Sequence, residues 1–384
     1  MPWKETCLMD EKIKFIAMVK GGGYSFASIC TAFGISRQGG YDLMARYEAE
    51  GEKGLAPRSR ARHTHANAIS DAMVKKLLDV KAMHVRFGPR KVRDFLTMKG
   101  HRGALPAVST IGELFKRQGL VKARGGRRAR SAPHTEPLRH ATAPNMVWSV
   151  DFKGQFRMGN GRWCYPLTLS DNASRYLLVC RGLAHPTEAA VWPHFRRTFE
   201  EYGLPCALRS DNGAPFASTA LGGLTHLGVW LMKLGITLER ITPGRPDQNG
   251  RHERMHRTLK DYLEPIRASL PAQQRALERF RIHYNHERPH EALDGISPAM
   301  CHRHSNREYP TRLPLPEYGA NVEVRRVRSN GQIKWHGKLI FISEALIGEP
   351  VGLQQIDNDR WQLLFCSMRL GVINERLSIV ERIG

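Results

Sequence analysis

The chain has 384 residues, 59 of them Lys or Arg against 36 Asp or Glu, for a formal net charge of +23. Hydrophobic residues at 41% and charged residues at 25% exclude wholesale disorder, and no run reaches the ~18 uninterrupted apolar residues of a membrane helix. The opening MPWKETCLMDEK lacks the order of a secretory signal and the seven cysteines include no CxxC pair, so a cytoplasmic protein without a membrane role and with a polyanionic partner is expected.

The basic excess is polarised. Residues 1–145 hold 27 Lys and Arg against 12 Asp and Glu, residues 146–304 hold 21 against 15, and residues 305–384 hold 11 against 9. The first third therefore reads as a nucleic-acid-binding front end. In it, residues 10–20 place Ile13, Ile16, Ala17 and Lys20 at helical spacing. Ser25 can cap a short helix over FASICTAF, and Ser36 another over RQGGYDLMARYEAE, although Gly39 and Gly40 weaken its first turns. Helix, short helix, glycine turn, helix is the helix-turn-helix order, assigned to residues 1–60 with Arg37, Gln38 and Tyr41 facing DNA. A second such module is expected over 65–121: a helix at 70–84, one with Pro89 in its first turn, and one from Ser109 onward with Lys116 and Arg117 near its end. Residues 122–145 have linker composition, and Arg124, Arg127, Arg128 and Arg130 should track phosphate.

From Asn145 the texture turns to strands. MVWSVDF, RWCYPLTLSD and SRYLLVCRG read as a three-stranded antiparallel meander, followed by a helix over 186–202 and a short strand ending at Asp211. A helical region over 215–235, the strand ITLERI, the loop TPGRPDQNG and a long helix RHERMHRTLKDYLE complete a mixed α/β sheet with helices packed on it. Asp171 reads as turn chemistry and Trp148 as core.

WSVDF, RSDNGAPF and PGRPDQNGRHERMHRTLK, in that order, resemble the catalytic core shared by retroviral integrases and DDE-type insertion-sequence transposases, over about residues 145–300. The resemblance implies a ribonuclease H-like core at 146–304 and a triad Asp151, Asp211 and Glu253 acting as catalytic residues and metal ligands. It also implies Mg²⁺, with Mn²⁺ as a substitute. The chemistry explains the carboxylates: two hard cations ~4 Å apart can activate a nucleophile and stabilise the leaving oxygen, and they want oxygen ligands. By spacing, the acid with 35 residues between it and Asp211, common in that superfamily, is Asp247, whereas Glu253 has 41. Context favours Glu253, because it stands in N-G-x-x-E-R on a helix whereas Asp247 lies in a Pro/Gly loop. Asn249, Arg257 and Lys260 are then expected beside the DNA. The histidines and cysteines lack zinc-finger spacing.

Residues 305–384 open with prolines and continue as strands, one pair around Ser329-Asn330-Gly331 and another around Asn358-Asp359, expected to form a small β-barrel. The function implied is an insertion-sequence transposase. It would act near the nucleoid on double-stranded DNA, both terminal inverted repeats and target, as a homo-oligomer on that DNA. A catalytically inactive, domesticated DNA-binding regulator is the rival. A nuclease for RNA–DNA hybrids gives no reason for the tandem helix-turn-helix modules.

Overall fold

The structure, a computed structural model, describes residues 7–57, 69–101, 103–121, 138–242 and 246–382. Arg124, Arg127, Arg128 and Arg130, and with them most of the linker reading, lie outside the described residues. The chain divides into two units, one up to Ser70 and one from Asp71 on.

In the first unit, helices α1 (Leu8–Gly21), α2 (Phe26–Ala32) and α3 (Arg37–Glu50) close over Phe15, Ile16, Ile29, Cys30 and Leu55. Ser25 Oγ accepts from Ser28 N and Ser36 Oγ accepts from Gly39 N, so the two caps form where the sequence placed them. Gly40 has a packing reason. A Cβ there would stand 2.8 Å from Cys30 Sγ and 3.0 Å from Phe26 Cζ, so the glycine lets α3 approach α1 and α2.

The second unit begins with α4 (Asp71–Met83), α5 (Pro89–Met98) and α6 (Val108–Arg117), which bury Leu77, Phe87, Val92, Ile111 and Phe115. Helix α6 starts before Ser109, with Ala107 at its N-cap, so Ser109 is interior rather than a cap.

The central sheet is built from β1 (Val147–Phe152), β2 (Phe156–Arg157), β3 (Trp163–Asp171), β4 (Leu177–Leu183), β5 (Ala207–Ser210) and β6 (Thr237–Arg240). Its order is β2-β3-β1-β5-β6 with β4 also on β3; β1 pairs antiparallel with β3 and parallel with β5. Helices α7 (Glu188–Tyr202) and α8 (His226–Lys233) cover one face, on Trp148, Val150, Leu167 and Leu169. Helices α9 (Gly250–Leu263) and α10 (Leu270–Ile282) cover the other, on Leu177 and Cys180. The helical stretch expected over 215–235 is shorter: only a brief turn at Leu221–Gly223 and α8 form, because Gly222 and Gly223 both take positive φ.

The tail comprises β7 (Glu323–Arg326), β8 (Gln332–Trp335), β9 (Lys338–Phe341), β10 (Pro350–Asp357), β11 (Arg360–Phe365), β12 (Met368–Asn374) and β13 (Ile379–Arg382). Five strands run β13-β12-β11-β10-β7, and β8-β9 form a separate hairpin, so this β domain pairs as an open sheet plus a ribbon. The turn expected at Ser329-Asn330-Gly331 forms, with Gly331 N donating to the Arg328 carbonyl and Arg328 N to the Gln332 carbonyl, but the ladders lie elsewhere: β7 pairs with β10, and β8 pairs with β9 across His336-Gly337, both at positive φ as a two-residue turn demands.

Candidate active site

Strand alternation builds the site. Trp148 and Val150 point into the α7–α8 core, so Ser149 and Asp151 point to the α9 face. Their partners across the antiparallel ladder are Ser170 and Thr168, which share that face. The result is a polar stripe of four side chains under α9. On the other side β5 runs parallel, pairing Val147 with Ala207 and Ser149 with Arg209. Continued two residues, that register brings Asp211 level with Asp151. Glu253 lies in the first turn of α9 and is exposed.

Histidines missed by the sequence reading seat α9 on the stripe. Thr168 Oγ1 donates to the Asp151 carbonyl at 3.0 Å, and His252 Nε2 and His256 Nε2 each lie 2.7 Å from that Thr168 hydroxyl oxygen. A hydroxyl has one proton to give, so both imidazoles must donate from Nε2. His252 Nδ1 is then free to accept from Ser170 Oγ at 3.0 Å. His256 Nδ1 is left with its lone pair 3.8 Å from Asp151 Oδ2. Burial, and for His256 also Lys153, push both rings well below the ordinary histidine range, His256 to about 3. Both are therefore neutral at neutral pH. The signal available in the sequence was H-x-x-x-H, two histidines one helical turn apart on the face away from solvent.

The Asp151 carboxyl is pushed up to about 7, first by burial, then by the charge of Asp211 and also of Glu253. Asp211 Oδ1 accepts from Gly213 N at 3.1 Å, which fixes the turn after β5. Three oxygen donors that repel one another suit a hard divalent cation, since a cation relieves the repulsion. Among the described residues, the trio whose ligand atoms all lie within 4.8 Å of one another is instead His84, His283 and Glu287. There His283 Nδ1 bonds Glu287 Oε2 at 2.9 Å and His84 stacks on His283, tying the α4–α6 helices to the core.

Arg257 and Lys260, four and seven residues beyond Glu253, are exposed on its flank of α9. Burial, and after it the charge of Lys260, lower Lys153. Asn249 is buried at the N-cap of α9, and Gln248 closes the loop before it by accepting from Thr242 N at 2.6 Å. The Asp247 side chain lies outside the described residues. Arg37, Gln38 and Tyr41 are exposed on α3, with Tyr41 stacked on Phe26 at 4.2 Å; Lys116 and Arg117 are exposed at the end of α6. Asp171 is buried and accepts from Asn145 N, Ala173 N and Ser174 N, as turn chemistry requires, and Trp148 is core.

Comparison with known proteins gives four family matches. The integrase core domain matches residues 141–246 and, as a second family of that description, 234–298; a helix-turn-helix domain matches 11–63. The C-terminal domain of the IS481 family transposases matches 322–378. An uncharacterized 39.2 kDa protein of insertion element IS476 from Xanthomonas euvesicatoria is 30% identical over 64% of this chain and 70% of its own length. A 31.7 kDa protein of insertion element IS407 from Burkholderia multivorans is 28% identical over 62% and 82%. Among solved structures, the HTLV-2 integrase catalytic core in complex with magnesium is similar over 43% of this chain and 100% of its own, at 16% identity and a TM-score of 0.33.

Proposed function

Because the chain belongs to the integrase-core transposases of insertion sequences, we propose that it binds the ends of an insertion sequence and cuts and joins DNA strands at Asp151, Asp211 and Glu253. The observation that carries this reading is the Asp151 carboxyl, raised to about 7 by its burial and by two further carboxylates brought to it from β5 and α9. Such a convergence costs stability unless a cation is held there.

In this reading Asp151, Asp211 and Glu253 would together hold Mg²⁺, with Mn²⁺ able to substitute. Bound there, the metal would supply the charge that makes a water or 3′-hydroxyl nucleophilic and stabilises the leaving oxygen. Thr168 pins the Asp151 backbone, and neutral His256 presents only a lone pair, so neither competes for the carboxylate as a cation would. Arg257 and Lys260 counter the phosphate charge beside Glu253. Arg37, Gln38 and Tyr41 read the terminal repeats. Asn249 supports the helix that carries Glu253, while Lys116, Arg117, Arg124, Arg127, Arg128 and Arg130 contact backbone. The partners are the inverted repeats and target duplex, with at least two copies of the chain per complex.

Glu253→Gln tests the assignment. It should abolish strand transfer with Mg²⁺ in a gel assay while leaving affinity for a terminal-repeat duplex within about twofold, since one surface charge away from base contacts contributes little to binding. Strand transfer retained by the variant would refute it.

A further inference from the structure

The second unit holds a cationic cavity that the carboxylate site does not use. Lys91 on α5, Arg175 before β4, Arg251 and Arg254 on α9, and Arg288 after α10 line one pocket of about 600 Å³. Lys91, Arg175 and Arg288 are half-buried, while Arg251 and Arg254 stand exposed at its rim. No ion pair joins any of the five to a described carboxylate. The acid among the lining residues, Glu291, is engaged by Arg90 at 2.6 Å. What bonds they make are neutral: Arg175 and Arg251 both donate to the Asn172 carbonyl, and Arg288 reaches Thr258 Oγ1 at 3.4 Å. His290, whose Nε2 is buried without a partner, lies among them.

The free protein bears this arrangement at a cost. Burial and the neighbouring Arg288 push Lys91 down to about 8, and burial and Arg251 push Arg175 down to about 10. Glu291, Asp171 and Asp261 offset part of this charge without a salt bridge to any of the five, and like charges gathered in a half-dry cavity are stabilised further by an anion that enters it. The pocket is also separate from the triad. Along α9, Arg251, Arg254 and Thr258 follow one flank, whereas Glu253, Arg257 and Lys260 follow the other, about 10 Å away across the helix.

We propose that this pocket seats a phosphate group of the DNA backbone, held by Arg175 and Arg288 at its base and closed on one side by Lys91 of the α4–α6 helices. The ligand chemistry is a phosphate oxyanion, and the fork of a guanidinium fits it. A seat shared by α5 and the core couples DNA occupancy to the docking of those helices. The assignment rests on the reading of the chain as a DNA-processing transposase.

The test uses the full chain, with Arg288→Gln and Arg175→Gln measured by fluorescence anisotropy on a repeat duplex and a random duplex across a salt series. Each variant should weaken both duplexes equally, by about tenfold at low salt, because a phosphate contact is blind to sequence. The slope of log affinity against log salt should shrink by about 0.9, the release of one phosphate's counterions. Without DNA, neither variant should melt far below wild type, since each removes a half-buried charge that forms no salt bridge. Unchanged slopes in both variants, or a melting point several degrees lower without DNA, would overturn the proposal. Wild-type binding with unaltered variants removes the pocket alone; a wild-type chain that binds neither duplex removes the transposase reading with it. A separate arm replaces chloride by inorganic phosphate at constant ionic strength. Protection of wild type but not of the variants, with salt slopes unchanged, would identify a free phosphate site and reject the backbone.

Discussion

At Asp151, a carboxyl held at about 7 folded against 3.8 unfolded means the folded chain binds more protons between those values. Stability therefore falls as pH rises through that window, and the penalty is complete above about pH 7. Asp151→Asn removes it. The variant should melt above wild type at pH 8, by roughly 1–3 kcal/mol of stability, and equal it near pH 3, while losing strand transfer. Calorimetry at both pH values checks this; a variant less stable than wild type at pH 8 would show that the carboxylate is not repelled. Thr168 carries the opposite risk. Thr168→Val leaves two buried imidazole N–H groups without their acceptor, and about 2 kcal/mol or more should be lost in denaturant titration. Serine at 168 keeps the hydroxyl and should restore most of it.

Gly40 shows how an element can be read for propensity and misjudged for purpose. A glycine in a helix costs about 1 kcal/mol against alanine, yet here a methyl group would meet Cys30 Sγ at 2.8 Å. Gly40→Ala should therefore destabilise the first unit by about 1–3 kcal/mol through overpacking, despite its better helix propensity. Hydrogen exchange in α1–α3 should rise, and preference for repeat over random DNA should fall, since α3 carries Arg37, Gln38 and Tyr41. A rise in stability would mean that the helices part without cost. The turns divide in the same way. Asn358-Asp359 joins β10 to β11 as expected, but the β7–β8 pairing suggested by Ser329-Asn330-Gly331 yields to β10, a partner far along the chain.

One core offers one set of Asp151, Asp211 and Glu253, whereas joining two element ends to a target needs a set at each end. At least two chains should thus be found per paired-end complex by native mass spectrometry, and a single chain there would end the idea. The free protein should remain monomeric at low salt, since a charge of +23 opposes association until DNA neutralises it. Mixing Glu253→Gln with wild type should yield products joined at one end only.

The chain order of strands and helices in the core was legible in residues 145–263 because each element carries its own period, caps and turns, and three acids stood at the ends of recognisable segments. Both caps of the first unit could be read for the same reason: a Ser side chain bonds an amide three residues away, a local event. Other features depend on chain segments far apart. His252 and His256 acquire a role only when α9 lands on Ser170 and Thr168, more than eighty residues earlier. Lys91, Arg175 and Arg288 look like scattered surface charges until packing puts them around one cavity. Hydrogen-bond sharing and charge repulsion act through space at a few ångströms, so only the folded chain decides which distant residues feel them.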